Sequence, residues 1–161
     1  MADDDARERA LKLVPYGMYV IGSGHGDDVN GMTANWFTQV SFAPCLVAVA
    51  IKQRAHTREL IDRYGHFTVN IVEHGDLDLL RLFIKPQKRV GNKFGESVGF
   101  REASHGAPIL EAALAWVECR VRVAHDHGGD HVLFVGEVIG AGVQREGRPY
   151  PIQDTGWSYA G

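Results

Sequence analysis

The sequence predicts a mainly β protein, an antiparallel barrel carrying short peripheral helices. Three observations lead there. The apolar runs are short and rich in β-branched and aromatic residues, a pattern that suits strands. Glycine occurs 19 times, well above the ~7% average, and such abundance suits tight turns and close backbone approaches. Successive strand patterns are often joined by glycine turns without a helix between them, which argues against a doubly wound fold. At roughly 150 residues per domain, the 161 residues make one domain, spanning positions 1–161.

The elements follow in order. Ala2 to Leu13 reads as a helix with Asp3, Asp4 and Asp5 at its start, where acidic groups complement the helix dipole, and Pro15 stops it. Tyr16 to Ile21 reads as a strand, Gly22 to Asn30 as a turn, and Gly31 to Val40 as the returning strand. Leu46 to Ile51 is a continuous apolar run, short and β-branched, hence a buried strand. Thr57 to Tyr64 is a predicted helix with His56 or Thr57 near its cap and Gly65 as its stop. Phe67 to Val72 alternates as a strand. Asp76 to Phe83 makes a short helix, with Leu77, Leu80 and Ile84 on one face. Lys85 to His105 is polar and glycine-punctuated and receives no assignment. Ala113 to Ala124 and His131 to Val143 form a long hairpin around a turn at His125 to Asp130. Leu114, Trp116 or Val117, Val121 and Val123 are its inward candidates, and Trp116 and Phe134 are core candidates first. The remainder, Gln144 to Gly161, is polar with aromatic Tyr150, Trp157 and Tyr159.

Composition narrows the function. The net charge of −3 argues against a nucleic-acid partner, whose binding domains are usually basic. Cys45 and Cys119 lack metal-ligand spacing and lie in apolar stretches, so both read as reduced core cysteines. No apolar run approaches the ~18 residues of a membrane helix, and Met1 to Arg9 has no signal-like apolar core. The expected location is the cytoplasm, with no membrane partner.

The eight histidines invite a metal reading, but their spacing gives no three or four converging ligands, and no metal is expected. No nucleophile elbow, Walker loop or His-Glu-x-x-His motif occurs. Glu118 and Glu137 on the hairpin could pair as acid and base; strand glutamates more often face solvent or pair across strands. The informative stretch is Asn30 to Arg63. Small polar residues, Thr33, Ala34 and Asn35, end a turn there. After the buried strand come Lys52, Arg54, His56, Thr57 and Arg58 at a helix start, a plausible phosphate seat built on backbone amides and the dipole. The plainer alternative is that Thr57 caps the helix and the cations are solvated.

The string Asn30-Gly31-Met32-Thr33-Ala34-Asn35-Trp36-Phe37-Thr38-Gln39-Val40-Ser41-Phe42-Ala43-Pro44 resembles the flavin-binding motif of the flavin reductase-like family, the FMN-binding split barrels. Leu46 to Ile51 with His56-Thr57, Phe67 to Ile71, Gly106 to Leu110 and Gly129 to Val138 continue the likeness in order, from about Tyr16 to Val143. The flavoredoxin-like, rubredoxin-fused branch is the most similar in flavour. The resemblance implies an antiparallel split β-barrel of Greek-key type and a homodimer that holds FMN between subunits. Position by position, it implies that Thr33, Ala34, Asn35 and Trp36 line the isoalloxazine and ribityl chain and that Ser41 and Phe42 follow along the ring. Lys52, His56 and Thr57 would meet the phosphate. Lys93, within Asn92-Lys93-Phe94, would lie in a segment closing over the flavin. His131, in Gly129-Asp130-His131, would stand near the nicotinamide of NAD(P)H as the catalytic histidine. Here Trp36 replaces a frequent serine, His56 directly precedes Thr57, and Pro44-Cys45 replaces a common Pro-Pro.

Three activities fit this likeness. One is an NAD(P)H-dependent FMN reductase, which could supply reduced FMN to a monooxygenase. The second is a flavoredoxin-like electron carrier serving a redox protein without NAD(P)H activity of its own. The third is a binder of a tetrapyrrole or other ligand on the same barrel.

Overall fold

The structure is a computed structural model and describes residues 4–84, 94 and 98–159. The chain runs α1 (Asp4–Lys12), β1 (Tyr19–His25), β2 (Asp28–Ala34), β3 (Phe37–Ser41), β4 (Leu46–Lys52), α2 (His56–Tyr64), β5 (His66–Ile71) and α3 (Leu77–Ile84). It continues with β6 (Phe100–Glu102), β7 (Pro108–Leu110), β8 (Ala115–Asp126), β9 (His131–Val143) and a 3-10 turn at Ile152–Asp154. Seven strands make one sheet in the order β2-β1-β5-β8-β9-β4-β3, every pairing antiparallel. β6 and β7 form a separate ribbon.

This order dictates a barrel. β2 and β3 stand at opposite edges of the sheet, which if flat would lie about 29 Å apart at ~4.8 Å per strand. Only Asn35 and Trp36 separate them in the chain, and three residue steps reach at most about 11 Å. The sheet therefore curls until its edges meet at Asn35–Trp36. No ladder joins β2 to β3, so the barrel has an open seam at that point.

Two cores result. Ile21, Val49, Ile51, Phe67, Val69, Cys119 and Phe134 fill the barrel interior. Val20, Val29, Leu80, Phe83, Phe94 and Leu110 form a second core on the outer face of β1 and β2, under α3. β1 thus buries both faces, Val20 outward and Ile21 inward, each fully covered. Thr33 Oγ1 donates to the Leu80 carbonyl (2.7 Å), tying β2 to α3. Asn70 fixes the β6–β7 ribbon to the barrel: its Oδ1 accepts from the Leu110 amide (2.8 Å) and its Nδ2 donates to the Val20 carbonyl (3.2 Å).

Several expectations are corrected. The strand predicted over 31–40 is two strands on opposite edges, because the chain turns at Asn35–Trp36 to close the barrel. The predicted turn over 22–30 shrinks to Gly26-Asp27, since β1 and β2 pair as far as His25 and Asp28. β8 likewise runs on to Asp126. The cap of α2 is Ala55, with no side-chain cap bond, so neither His56 nor Thr57 caps it; Gly65 ends the helix in the left-handed region (φ 72°) as expected. α3 buries Leu79, Leu80 and Phe83 rather than Ile84, which is 51% exposed. Val123 is exposed on the hairpin and Trp116 is half-buried. Cys45 is exposed, because it sits in the turn before β4.

Candidate functional site

A cavity of about 280 Å³ opens at the barrel seam. β2 and its exit supply Thr33, Ala34, Asn35 and Trp36; β4 supplies Ala50 and Lys52; β9 supplies His131. Lys52 and His131 are register partners across the β4–β9 ladder, which places an ammonium and an imidazole side by side at one end of the wall. Met18, Met32, Ile84 and Ile152 give an apolar surround, and Trp157, Ser158 and Tyr159 approach from the tail. The sequence leaves the tail either packing near the flavin or reaching a partner subunit, and the structure brings it to the cavity; the methionines carry no strong spacing signal.

The donors have defined roles. Asn35 is buried, and its Nδ2 has no partner among the described residues. An unpaired buried donor costs roughly 1–3 kcal/mol, so this amide is poised for an acceptor that the cavity brings. His131 is buried beside its exposed neighbour Asp130, with Nδ1 2.6 Å from Asp130 Oδ1. The imidazole hydrogen bond, and then its charge, hold the Asp130 carboxyl below the usual range. An ionised carboxylate only accepts, so Nδ1 carries a hydrogen. Nε2 lies 3.1 Å from the Tyr159 hydroxyl. The Trp36 indole packs on the His131 ring (4.7 Å between centroids) and on Tyr159 (5.1 Å).

Among the described residues lining the cavity none is a carboxylate. The polar set is an unpaired amide N–H, an ammonium and an imidazole beside apolar and aromatic walls. Such a site takes a planar, acceptor-rich ligand with negative charge nearby. A flavin fits, with carbonyl and ring-nitrogen acceptors on one edge, an apolar edge opposite and a phosphate on its chain.

The sequence-predicted residues divide accordingly. Thr33, Ala34, Asn35, Trp36, Lys52 and His131 converge on the cavity. Ser41 ends β3 and Phe42 lies in the following turn, 91% exposed, and neither lines the cavity. His56 and Thr57 open α2 outside it. Thr57 is buried with Oγ1 accepting from Asn30 Nδ2 (3.4 Å), and His56 Nδ1 faces Glu59 (3.1 Å). Lys93 lies outside the described residues. The hairpin glutamates have structural partners. Glu118 is buried because the turn after β6 covers the outer face of β8. Ser104 and His105 donate to it through their amides (3.3 and 2.9 Å), and the Ser104 hydroxyl lies at 2.7 Å. Glu137 pairs with Arg122 (2.9 Å) across the hairpin.

Comparison with known proteins places this geometry. A domain model described as "Flavin reductase like domain" matches residues 11–156. The NADH-dependent FMN reductase AsuE2 of Streptomyces nodosus subsp. asukaensis is 34% identical over 130 residues, covering 81% of this chain and 70% of the relative. The solved structure of the NADH:FAD oxidoreductase SgcE6 of Streptomyces globisporus C-1027 superposes with a TM-score of 0.84 at 29% identity, covering 96% of this chain and 91% of that one. The styrene monooxygenase flavin reductase of Pseudomonas putida S12 superposes with a TM-score of 0.76 at 29% identity, covering 91% of each chain. With the split barrel, the seam cavity and a match across nearly its whole length, the chain belongs to the flavin reductase-like family.

Proposed function

We propose that the protein is an NAD(P)H-dependent flavin reductase that works at the seam cavity. The observation that carries this reading is the buried Asn35 amide, unpaired among the described residues, beside Lys52 and His131 in a cavity that no described carboxylate lines. Relatives named as NADH-dependent flavin reductases support it. A bound flavin would supply hydride-acceptor chemistry toward NAD(P)H, with the accompanying proton drawn from solvent and NAD(P)+ as the product. The chain supplies position, charge and exclusion of water. Asn35 donates to an acceptor of the ring system, Lys52 offsets negative charge, and His131, held through Asp130, turns Nε2 toward the second ligand.

Our reading of the flavin is FMN. An FMN reductase and an FAD oxidoreductase both stand among the relatives, so the preference is for titration to decide. Lys52, with His56 and Thr57 at the start of α2, is our assignment for the phosphate, and Ser41, Phe42 and Lys93 are assigned to the rim. Among the described residues of that group, only Lys52 lines the cavity. That fits a site completed by a second copy. β3 is an edge strand with Val40 51% and Phe42 91% exposed, an apolar edge that pairing of two copies would cover. We therefore also propose a homodimer, cytoplasmic where nicotinamide nucleotides are supplied, handing reduced flavin to a monooxygenase.

The test is spectral. FMN or FAD is added to the purified protein, then NADH or NADPH without oxygen. Flavin binding followed by bleaching is expected, and the titrations choose flavin and donor. Binding without bleaching refutes the reductase and leaves an electron carrier, which the Tyr159 hydroxyl seated on His131 Nε2 would favour.

A further inference from the structure

One residue of the tail makes contacts that a ring ligand would otherwise make. The Tyr159 hydroxyl lies 3.1 Å from His131 Nε2, its ring packs against Trp36 at 5.1 Å, and Lys52 Nζ stands 5.7 Å from the ring centroid. These groups belong to three separate strands or strand exits, yet a single side chain engages all of them. The anchoring behind it is light. Thr155 Oγ1 accepts from the Trp157 amide (3.0 Å), and the chain turns at Gly156 in the left-handed region (φ 77°). Among the described residues, no backbone hydrogen bond holds Ser158 or Tyr159. Tyr159 itself is 39% exposed at the cavity mouth. With the tail seated, about 280 Å³ remains, at or below the lower end of ordinary small-ligand pockets, which start near ~300 Å³.

We propose that Tyr159 is an internal occupant of the nicotinamide seat, and that NAD(P)H binds by displacing it. This rests on the reductase reading above. The chemistry of the exchange is matched. The phenol hydroxyl is hydrogen-bonded to Nε2, whichever of the two carries the hydrogen. A nicotinamide carboxamide offers Nε2 both an N–H and an oxygen in its place, and the pyridine ring replaces the phenol ring against Trp36. Tyr159 thereby sets a threshold for ligands that bring both a ring and a hydrogen-bond partner for Nε2. A seat that is free only part of the time weakens apparent affinity by the fraction free.

The test uses flavin-loaded protein and Tyr159→Phe, which keeps the ring and removes the hydroxyl. One neutral hydrogen bond in the closed form corresponds to about a 2- to 12-fold change in its population. The dissociation constant for NAD+, measured by calorimetry without turnover, should fall by up to that factor, and KM for the reduced nucleotide should fall with it. Tyr159→Ala, which also removes the ring, should lower both further. Unchanged NAD+ affinity in both variants overturns the proposal. So does a lower kcat at constant KM, which would make Tyr159 a positioning residue for His131. A wild-type protein that binds flavin but takes no NAD+ sinks the reductase reading as well. A wild type that bleaches its flavin normally, with variants that match it, sinks the displaced tail alone.

Discussion

Asn35→Ala separates ligand binding from folding. The Asn35 amide nitrogen is buried without a partner among the described residues, so removing it relieves a desolvation cost of about 1–3 kcal/mol. Loss of the side chain's packing works against that gain, and the flavin-free protein should melt within a few degrees of wild type. With flavin bound, the amide is expected to be satisfied, and its loss should weaken binding about 5- to 150-fold. The readout is a pair of thermal scans, flavin-free and at a flavin concentration near 100 times the wild-type Kd. Saturation at that level stabilises wild type by about 2.7 kcal/mol. A tenfold weaker variant gains only about 1.4 kcal/mol at the same concentration. The difference of roughly 1.3 kcal/mol corresponds to about 2.5–5 °C in Tm for a chain of this size. Fluorescence titration of the flavin gives the Kd directly. An unchanged Kd would refute the argument. A flavin-free Tm that collapses would also refute it, since the amide would then be paired within the protein.

Two further outcomes follow from the titrating groups. Burial pushes the Glu118 carboxyl up, but donors from Ser104 and His105 outweigh it and hold the group below its ordinary range. Its contribution to stability is therefore present above the unfolded-state carboxylate value and is lost as pH falls through the lower folded value. Wild type should lose stability over that acid window. Glu118→Gln should flatten the slope there in pH-dependent urea unfolding, and an unaltered slope would count against the assignment. The second outcome concerns the thiols. Burial first, with Cys45 and Glu118 adding to it, pushes the Cys119 thiol up to about 12, whereas Cys45 is exposed. Native protein at pH 8 should react rapidly with one equivalent of a thiol reagent and with two after denaturation. Cys45→Ser should abolish the rapid reaction; fast labelling of Cys119 would show that the barrel interior opens.

Sequence by itself determined much of this molecule. Strand and helix types followed from hydrophobic period, because a β-branched run such as Leu46–Ile51 suits a pleated, covered surface wherever it is placed. The seam residues Thr33 to Trp36, with Lys52 and His131, were legible through the family resemblance that the Asn30–Pro44 string and the later motifs carry, and the structure brings them to one cavity. Tertiary structure decided what depends on closure. Reading 31–40 as one strand was locally reasonable; only the meeting of the sheet's edges makes Asn35–Trp36 a corner. A strand pattern likewise does not say which face a distant turn will cover, so the burial of Glu118 under Ser104–His105 was invisible. The contact of Tyr159 with His131 joins residues 28 apart in the chain, and no local propensity encodes it. Local preferences act over a few residues, whereas the cavity is made where β2, β4, β9 and the tail are brought together by burying two cores at once.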